Sequence, residues 1–480
     1  MLAFAGISYG LLRLTLSISW AAVFLAYWCF AMLSFVISLF ANYSGRDFDV
    51  TDHDRFVSTF EYERYPSVDV WLPNCGEPLD VLRNTWEHVR RLAWPGEVNV
   101  YCLDDRGLPE VRAMAAEFGF TYLSRPDKGW MKKSGNLRFA YEHSGGELVL
   151  LFDADFCPRP DMLSEMVPYM LRDDSVAIVQ TSQFFRVQRR QNWIERGAAQ
   201  VQEFFYRACQ WSRQQHGAAI CCGTNAIYRR SALDENGGMP LIPQGEDMRT
   251  GFDLQLLGWR LQYVPLNLAA GICPPDLSSF FKQQYRWCTG SIRLLADDTF
   301  WKVRLPLRAR LSYLAGFNYY VQTALSAFFI PALMLSLLIA DVNGFRLSHY
   351  AVLIPALLVL VVVYPLWHRC RFGPAAWSIR IICQWSYVFA IFDFLHEAVI
   401  PWDATGSGNA SVASSRRFRQ FQWSSFCWNT LSSFAWVGLA LWRAAEGDWV
   451  NFAVVSVMGA FYAFNSFRLV ESFFHRELIA

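Results

Sequence analysis

The feature that most constrains this chain is an apolar run from about Leu16 to Ala41 that contains no charged residue. As one helix it is long enough to cross a hydrocarbon layer of roughly 30 Å. Residues 1–42 together carry a single charge, Arg13. The stretch is too long for a cleaved leader and has no small-residue cleavage site, so it reads as an anchor that stays. The spacing predicts one span preceded by a short amphipathic lead.

Apolar runs return from Gly316. Gly316–Ala340, Tyr350–Trp367, Phe426–Trp442 and Val450–Phe467 read as further spans. The segment 376–400 is apolar but contains Arg380, Gln384, Asp393, His396 and Glu397, which suits a helix lying in the membrane interface. With that helix flat, the basic run Arg416-Arg417-Phe418-Arg419 stays on the side of the polar block, as positive charge near cytoplasmic membrane ends prefers. The organisation is therefore a membrane segment at 1–42, a polar domain at 43–310 and a membrane region at 311–480. The expected address is a plasma (inner) membrane, multi-pass, with the polar domain in the cytosol.

The polar block alternates strands and helices. Val68–Leu72, Val98–Leu103 and Leu148–Phe152 read as buried strands, with helical spacing over Leu79–Arg90, Leu108–Phe118 and Lys133–Glu142 between them. Such alternation implies an α/β fold, a mainly parallel sheet with helices on both faces. Ligands in such sheets bind beyond the carboxyl ends of the strands. The formal net charge of +1 argues against a nucleic-acid binder. The 20 Trp, 20 Tyr and 39 Phe suit both membrane interfaces and stacking on sugar faces. The 12 cysteines form no C-x-x-C pair and read as reduced structural thiols.

Acidic and basic residues gather at the predicted strand ends. The strand ending at Phe152 runs into Asp153-Ala154-Asp155, two carboxylates that can hold Mg²⁺ or Mn²⁺ or merely lie in a solvated loop. Asp104-Asp105 can hydrogen-bond a nucleobase or ribose, or cap the following helix. Lys133, at the start of the next helix, suits a phosphate or the open surface. Glu246-Asp247 opens a helix, where acids also settle for dipole reasons. The functional reading makes Asp247 a general base, with Glu246 beside it. Gln283-Gln284-Tyr285-Arg286-Trp287 lies on a segment expected along the membrane surface. There Arg286 is either a snorkelling anchor or a stabiliser of a departing diphosphate.

In this order the residues resemble the processive family 2 glycosyltransferases, among them cellulose, chitin and hyaluronan synthases. The family pattern runs as paired aspartates, K-x-G-N, D-x-D, an E-D triplet and Q-x-x-R-W. Here it is matched by Asp104-Asp105, Lys133-Ser134-Gly135-Asn136, Asp153-x-Asp155, Gly245-Glu246-Asp247 and Gln283-x-x-Arg286-Trp287. The resemblance implies a cytosolic A-type glycosyltransferase domain between membrane helices. It implies a UDP-sugar donor, UDP-glucose first, and a growing β-linked polysaccharide as acceptor. It places Asp104 and Asp105 on the uridine, Lys133 on the nucleotide, and Asp153 and Asp155 on a metal–diphosphate. Asp247 would be the base, and Gln283, Arg286 and Trp287 would frame the acceptor and leaving group. Cys222-Gly223-Thr224-Asn225 matches a C-G-[ST] stretch expected near the acceptor.

Three departures stand out. Pro73-Asn74-Cys75-Gly76-Glu77-Pro78 keeps Glu77 and Pro78 of a P-T-Y-N-E-P-like stretch but lacks its tyrosine. Gly245 replaces a threonine before the acid pair. An F-x-V-T-x-K gating pattern is absent, and Trp402–Gly408, within a gating loop expected at 401–420, takes its place with Thr405 as a phosphate contact or a plain Gly/Ser turn. The alternative activity is single-sugar transfer to a lipid-linked or other acceptor.

Overall fold

The computed structural model describes residues 2–42, 47–188, 191–340, 346–367, 373–398 and 412–474. The polar block is built on ten strands: β1 (Val68–Asn74), β2 (Val98–Asp104), β3 (Thr121–Leu123), β4 (Leu148–Leu151), β5 (Cys157–Pro158), β6 (Val176–Thr181), β7 (Phe184–Phe185), β8 (Ala226–Arg229), β9 (Arg260–Val264) and β10 (Ala269–Gly271). Seven form one sheet in the order β3-β2-β1-β4-β8-β6-β9, and β5-β10-β7 form a small second sheet. β1 pairs in parallel with β2 (Val68 with Val98) and with β4 (Val68 with Leu148), as the alternation of strands and helices predicts. β8 runs antiparallel between β4 and β6, so the sheet is mixed rather than wholly parallel.

Alternation along β1 and β4 sends side chains to two cores. Val68, Val70, Leu72, Leu148 and Leu150 pack with Leu82, Trp86 and Met166 on one face. Trp71, Val149 and Leu151 pack with Leu137, Ala140 and Leu233 on the other. Both faces are covered, which explains strands that read as unbroken apolar runs. Burying each such side chain contributes about 1.5–3 kcal/mol, so a one-residue slip of β1 would be costly.

The order of the sheet has one consequence for the site. From β1 the chain adds β2 and then β3 on one side, and β4 joins on the other. The strand order reverses at β1, and a crevice opens beyond the carboxyl ends of β1, β2 and β4. Asn74, Asp104 and the turn after Leu151 lie at those ends.

At the N-terminus one helix long and apolar enough to cross a membrane, Ser19–Ala41, follows a shorter helical lead. A separate apolar helix, Leu2–Ser17, precedes the helix Ala22–Asn42. The break falls at Ile18, which is extended, between Ser17 and Ser19. The two helices pack together through Phe4 and Phe35, 3.8 Å between ring centroids, and the Trp28 indole donates to Ser8 Oγ at 2.8 Å. Contacts of this kind cannot be read from local spacing.

Among the described residues, Ser19–Ala41, Tyr350–Trp367, Pro374–Leu395 and Ala453–Glu471 are long and apolar enough to cross a membrane. Gly316–Ala340 and Phe426–Trp442 lie within two helices of 34 residues, Leu307–Ala340 and Val412–Ala445. Val359, Val361 and Val363 are exposed, as are Leu366, Phe434 and Phe467, an apolar surface that suits lipid. Pro374–Leu395 covers most of the segment expected to lie flat, and its Arg380, Gln384 and Asp393 are partnered by protein. The Gln384 amide donates to Ser326 Oγ at 3.0 Å, and Arg380 donates to the Tyr364 hydroxyl at 2.9 Å. Partners on neighbouring helices lower the cost of polar groups in an apolar segment. Trp402–Gly408, Thr405 and the first part of the expected gating loop lie outside the described residues.

Candidate active site

The crevice at the switch point opens into a cavity of about 1860 Å³. Its polar end is lined by Asn74, Glu77, Asp105, Lys133, Asp153, Asp155, Glu246 and Asp247. Asp153 and Asp155 follow β4 directly, and the Asp153 amide is held by Thr224 Oγ1 at 2.9 Å. Asp105 opens the turn after β2, where Arg125 Nε donates to its Oδ1 at 2.6 Å. Asp105 Oδ2 and Asn74 Oδ1 are buried acceptors with no partner among the described residues. Both belong to cavity-lining residues, so a bound N–H or O–H group would satisfy them.

Lys133 is the hub of the polar end. Its ammonium bonds Asp153 Oδ1, donates to the Gly223 carbonyl at 2.8 Å and lies 3.9 Å from Glu246 Oε1. Burial opposes its charge, yet Asp153, Glu246 and Asp247 hold it above the usual lysine range. Met131 and Lys132, just before it, have φ of 48° and 52°. Left-handed backbone costs a non-glycine residue roughly 1–2 kcal/mol, and such strain persists where surrounding contacts enforce it.

Asp247 stands on the first turn of the helix Glu246–Leu256. Gly223, at φ +70°, lets it approach: a β-carbon there would meet Asp247 Cβ at 2.8 Å. Gly245, at φ +77°, abuts Gly290 on the helix Leu277–Ala296, and a β-carbon at Gly245 would meet Gly290 Cα at 3.0 Å. This close approach accounts for glycine where the resemblance expects threonine. Desolvation first and the neighbouring Glu246 second push the Asp247 carboxyl up to about 7, against the pull of Lys133. Desolvation and the charge of Asp153 likewise raise Asp155 to about 7, and burial raises Glu77.

Arg286 and Trp287 reach the same cavity from the helix Leu277–Ala296. Burial lowers the guanidinium of Arg286 below its ordinary range, while Asp153, Glu246, Asp155 and Asp247 support its charge. Gln283 lines the cavity too, and the Gln202 amide donates to its Oε1 at 3.3 Å. The cavity then continues past Cys222, Tyr206 and Trp211 to Tyr319, Tyr320, Tyr387 and Arg380 on membrane-associated helices. Five residues of the wall, Phe205 to Cys209, belong to a π-helical turn, Phe205–Gln210, a feature frequent at functional sites.

The structure thus brings together Glu77, Asp105, Lys133, Asp153, Asp155, Cys222, Glu246, Asp247, Gln283, Arg286 and Trp287 on one wall system. Asp104 stays outside the lining. It accepts from the Arg106 and Leu108 amides at 3.0 and 2.6 Å and from the Tyr122 hydroxyl at 2.8 Å, the capping role. Sequence reasoning missed Asn74 as an orphaned acceptor, Gly223 as the glycine under Asp247, and Arg213 and Tyr319 on the membrane side. Gly223 had a signal, the C-G-T stretch; the others depend on distant packing.

The donor set fits a hard divalent cation. Asp153 and Asp155 offer only carboxylate oxygens, and the raised carboxyl of Asp155 is a burial penalty that a cation would relieve. No group of three or more His, Cys, Asp or Glu side chains able to hold a metal occurs among the described residues. Further ligands would therefore come from the substrate or water, as is usual for Mg²⁺.

Residues 148–367 match the family described as Glycosyl transferase family group 2. The chain is 33% identical over 255 residues to a UDP-forming cellulose synthase catalytic subunit of Xanthomonas axonopodis pv. citri, covering 52% of this chain and 35% of that one. It is 29% identical over 331 residues to the corresponding subunit of Komagataeibacter sucrofermentans, covering 68% and 42%. The matches thus span less than half the length of these relatives. A mannosyltransferase from Pyrobaculum calidifontis, solved with GDP-Man and Mn²⁺, superposes with a TM-score of 0.52 at 16% identity, over 78% of this chain and 99% of that one. That likeness speaks to the A-type fold alone. With the fold, the strand-end acids and the sequence matches in agreement, residues 148–367 carry a family 2 glycosyltransferase region, related to that of bacterial cellulose synthase catalytic subunits.

Proposed function

We propose that this protein transfers a hexose from a UDP-sugar to a growing β-linked polysaccharide, processively and with inversion, and feeds the product toward its membrane helices. UDP-glucose is the donor we assign, a cellulose-like β-glucan the product, and the plasma membrane the location, with the catalytic domain cytosolic. The supporting observation is the single cavity that carries Asp153, Asp155 and Asp247 at one end and Tyr319, Tyr387 and Arg380 at the other. Its 1860 Å³ exceeds the roughly 300–1,000 Å³ of ordinary small-ligand pockets, as a site for a donor plus several sugar units should.

In this reading Asp247 removes the proton of the acceptor hydroxyl as that oxygen bonds to the anomeric carbon. The bond from that carbon to the diphosphate breaks, its electron pair leaves with UDP, and one displacement inverts the centre. Desolvation, with Glu246 second, keeps the Asp247 carboxyl basic enough for proton removal near neutral pH. Arg286 and Lys133 face the developing diphosphate charge. Asp153 and Asp155 would hold Mg²⁺ or Mn²⁺, which when bound neutralises charge on the leaving group. Asn74 and Asp105 would take N–H or O–H groups of the nucleoside, and Trp287 would stack on the acceptor.

The test is incorporation by the purified full chain in nanodiscs with Mg²⁺ or Mn²⁺, across labelled UDP-glucose, UDP-N-acetylglucosamine and UDP-glucuronate. A long, β-linkage-sensitive product from one donor is expected. UDP release without any elongated product would contradict the proposal.

A further inference from the structure

The Q-x-x-R-W helix is tied from behind by a buried ion pair that the transfer chemistry does not use. Tyr285, the residue before Arg286, donates through its hydroxyl to Asp393 Oδ2 at 2.8 Å. Asp393 is only 1% exposed and bonds the Arg417 guanidinium with both oxygens, Nε donating to Oδ2 at 2.9 Å. The guanidinium also lies over the Phe389 ring, 4.8 Å from its centroid. One residue earlier on the catalytic helix, Gln284 Oε1 accepts from the Tyr387 hydroxyl at 2.7 Å. Asp393 lies in the last turn of the helix Pro374–Leu395, and Arg417 in the second turn of the helix Val412–Ala445. Three chain segments therefore meet at one carboxylate.

Desolvating two charges costs several kcal/mol, and a buried pair often stabilises no more than a packed apolar group. What such a pair can provide is one specified arrangement, through directional bonds that an apolar contact lacks. Successive residues on a helix point about 100° apart. Tyr285 thus grips the membrane-side helices while its neighbour Arg286 faces Asp153, Asp155, Glu246 and Asp247.

We infer that Asp393, Arg417 and Tyr285 are positioning residues for transfer: they fix the rotation of the helix Leu277–Ala296, and with it Arg286 and Trp287, relative to the acids. The inference rests on the glycosyl-transfer reading of that site. It adds that the helices Pro374–Leu395 and Val412–Ala445 are both joined to the catalytic helix at the Asp393 carboxylate.

The test uses the full chain in nanodiscs and compares Tyr285→Phe, Asp393→Asn and Asp393→Glu for turnover, donor KM, UDP affinity and thermal midpoint. Tyr285→Phe removes one hydroxyl and should fold. It is expected to lower kcat by about fivefold or more, with donor KM and UDP Kd within about twofold and the midpoint little changed. Asp393→Asn should lower kcat further, and Asp393→Glu, which keeps the charge, should recover part of it. Wild-type kcat in Tyr285→Phe would overturn the inference, as would kcat losses that only follow the fall in thermal midpoint. If wild-type protein transfers no sugar but binds UDP, the reading of the site fails instead, which separates the two.

Discussion

The two ends of the cavity are built on opposite plans. At the sheet end the acids follow a strand or open a helix: Asp105 after β2, Asp153 after β4, Asp247 on the first turn of its helix. The chemistry is dense and acidic, with Lys133 and Arg286 facing Glu77, Asp105, Asp153, Asp155, Glu246 and Asp247. At the membrane end the wall is made of rings, Phe205, Tyr206, Trp211, Tyr319, Tyr320 and Tyr387, with Arg213 and Arg380 among them. Arg213 is 5% exposed and lies against Phe205 and Gly316. The contrast teaches a division of labour. In the proposed function, charges placed by a rigid sheet suit bond breaking, whereas flat rings suit contact with a sugar chain that slides. Rings present similar faces to successive units and do not hold one register.

Breaking the sheet end should cost most. Asp247→Asn is expected to lower turnover by about 10²–10⁴-fold, the range for a general base, while UDP still binds by calorimetry. Equal loss of both would remove Asp247 as the base. The carboxyl stands up at about 7, and only its ionised form accepts a proton. Turnover should therefore rise with pH through about 7 and then level, as measured by UDP release from pH 5.5 to 8.5. A flat profile would contradict that assignment. Chelation with EDTA should likewise abolish incorporation, and Mg²⁺ or Mn²⁺ should restore it. Full activity in EDTA would rule out the metal role of Asp153 and Asp155.

Changes toward the membrane end should be milder and of a different kind. Trp287→Ala is expected to shorten products several-fold with UDP affinity within about twofold, because base–aromatic stacking of roughly 1–3 kcal/mol bounds what one ring supplies by analogy to a sugar. Unchanged product lengths would sink the stacking role. The smallest effect concerns the junction of the two ends. Gly245→Ala forces a β-carbon toward Gly290 at a left-handed φ, which should lower stability by about 1–3 kcal/mol. A thermal midpoint equal to wild type would show that the junction is looser than the 3.0 Å approach implies.

The same contrast decides what could be read from the sequence. The sheet end was legible because its residues are fixed by local order. An apolar strand followed by Asp153-Ala154-Asp155 can deliver those carboxylates only to a strand end, and the sheet rule makes that end the ligand edge. Asp104 and Asp105 were legible as a pair but not in their division, since capping and ligand contact use the same residue type. Only the fold shows Asp104 spent on the Arg106, Leu108 and Tyr122 donors. The membrane end was far less legible. Tyr285, Asp393 and Arg417 are separated by 108 and 24 residues in their bonds, and no local period links them. The polar residues of Pro374–Leu395 find partners such as Ser326 and Tyr364 on other helices, pairings that local spacing does not show. The break at Ile18 carried only two flanking serines as its signal.

The central claim is that one cavity both breaks the donor bond and retains the growing chain. The most direct measurement is the product-length distribution made by purified protein in nanodiscs at early times, with acceptor in large excess over enzyme. The account predicts long products while most acceptor remains unextended, and shorter ones from Trp287→Ala at similar UDP release. A ladder in which every acceptor gains one sugar before any gains several would contradict it.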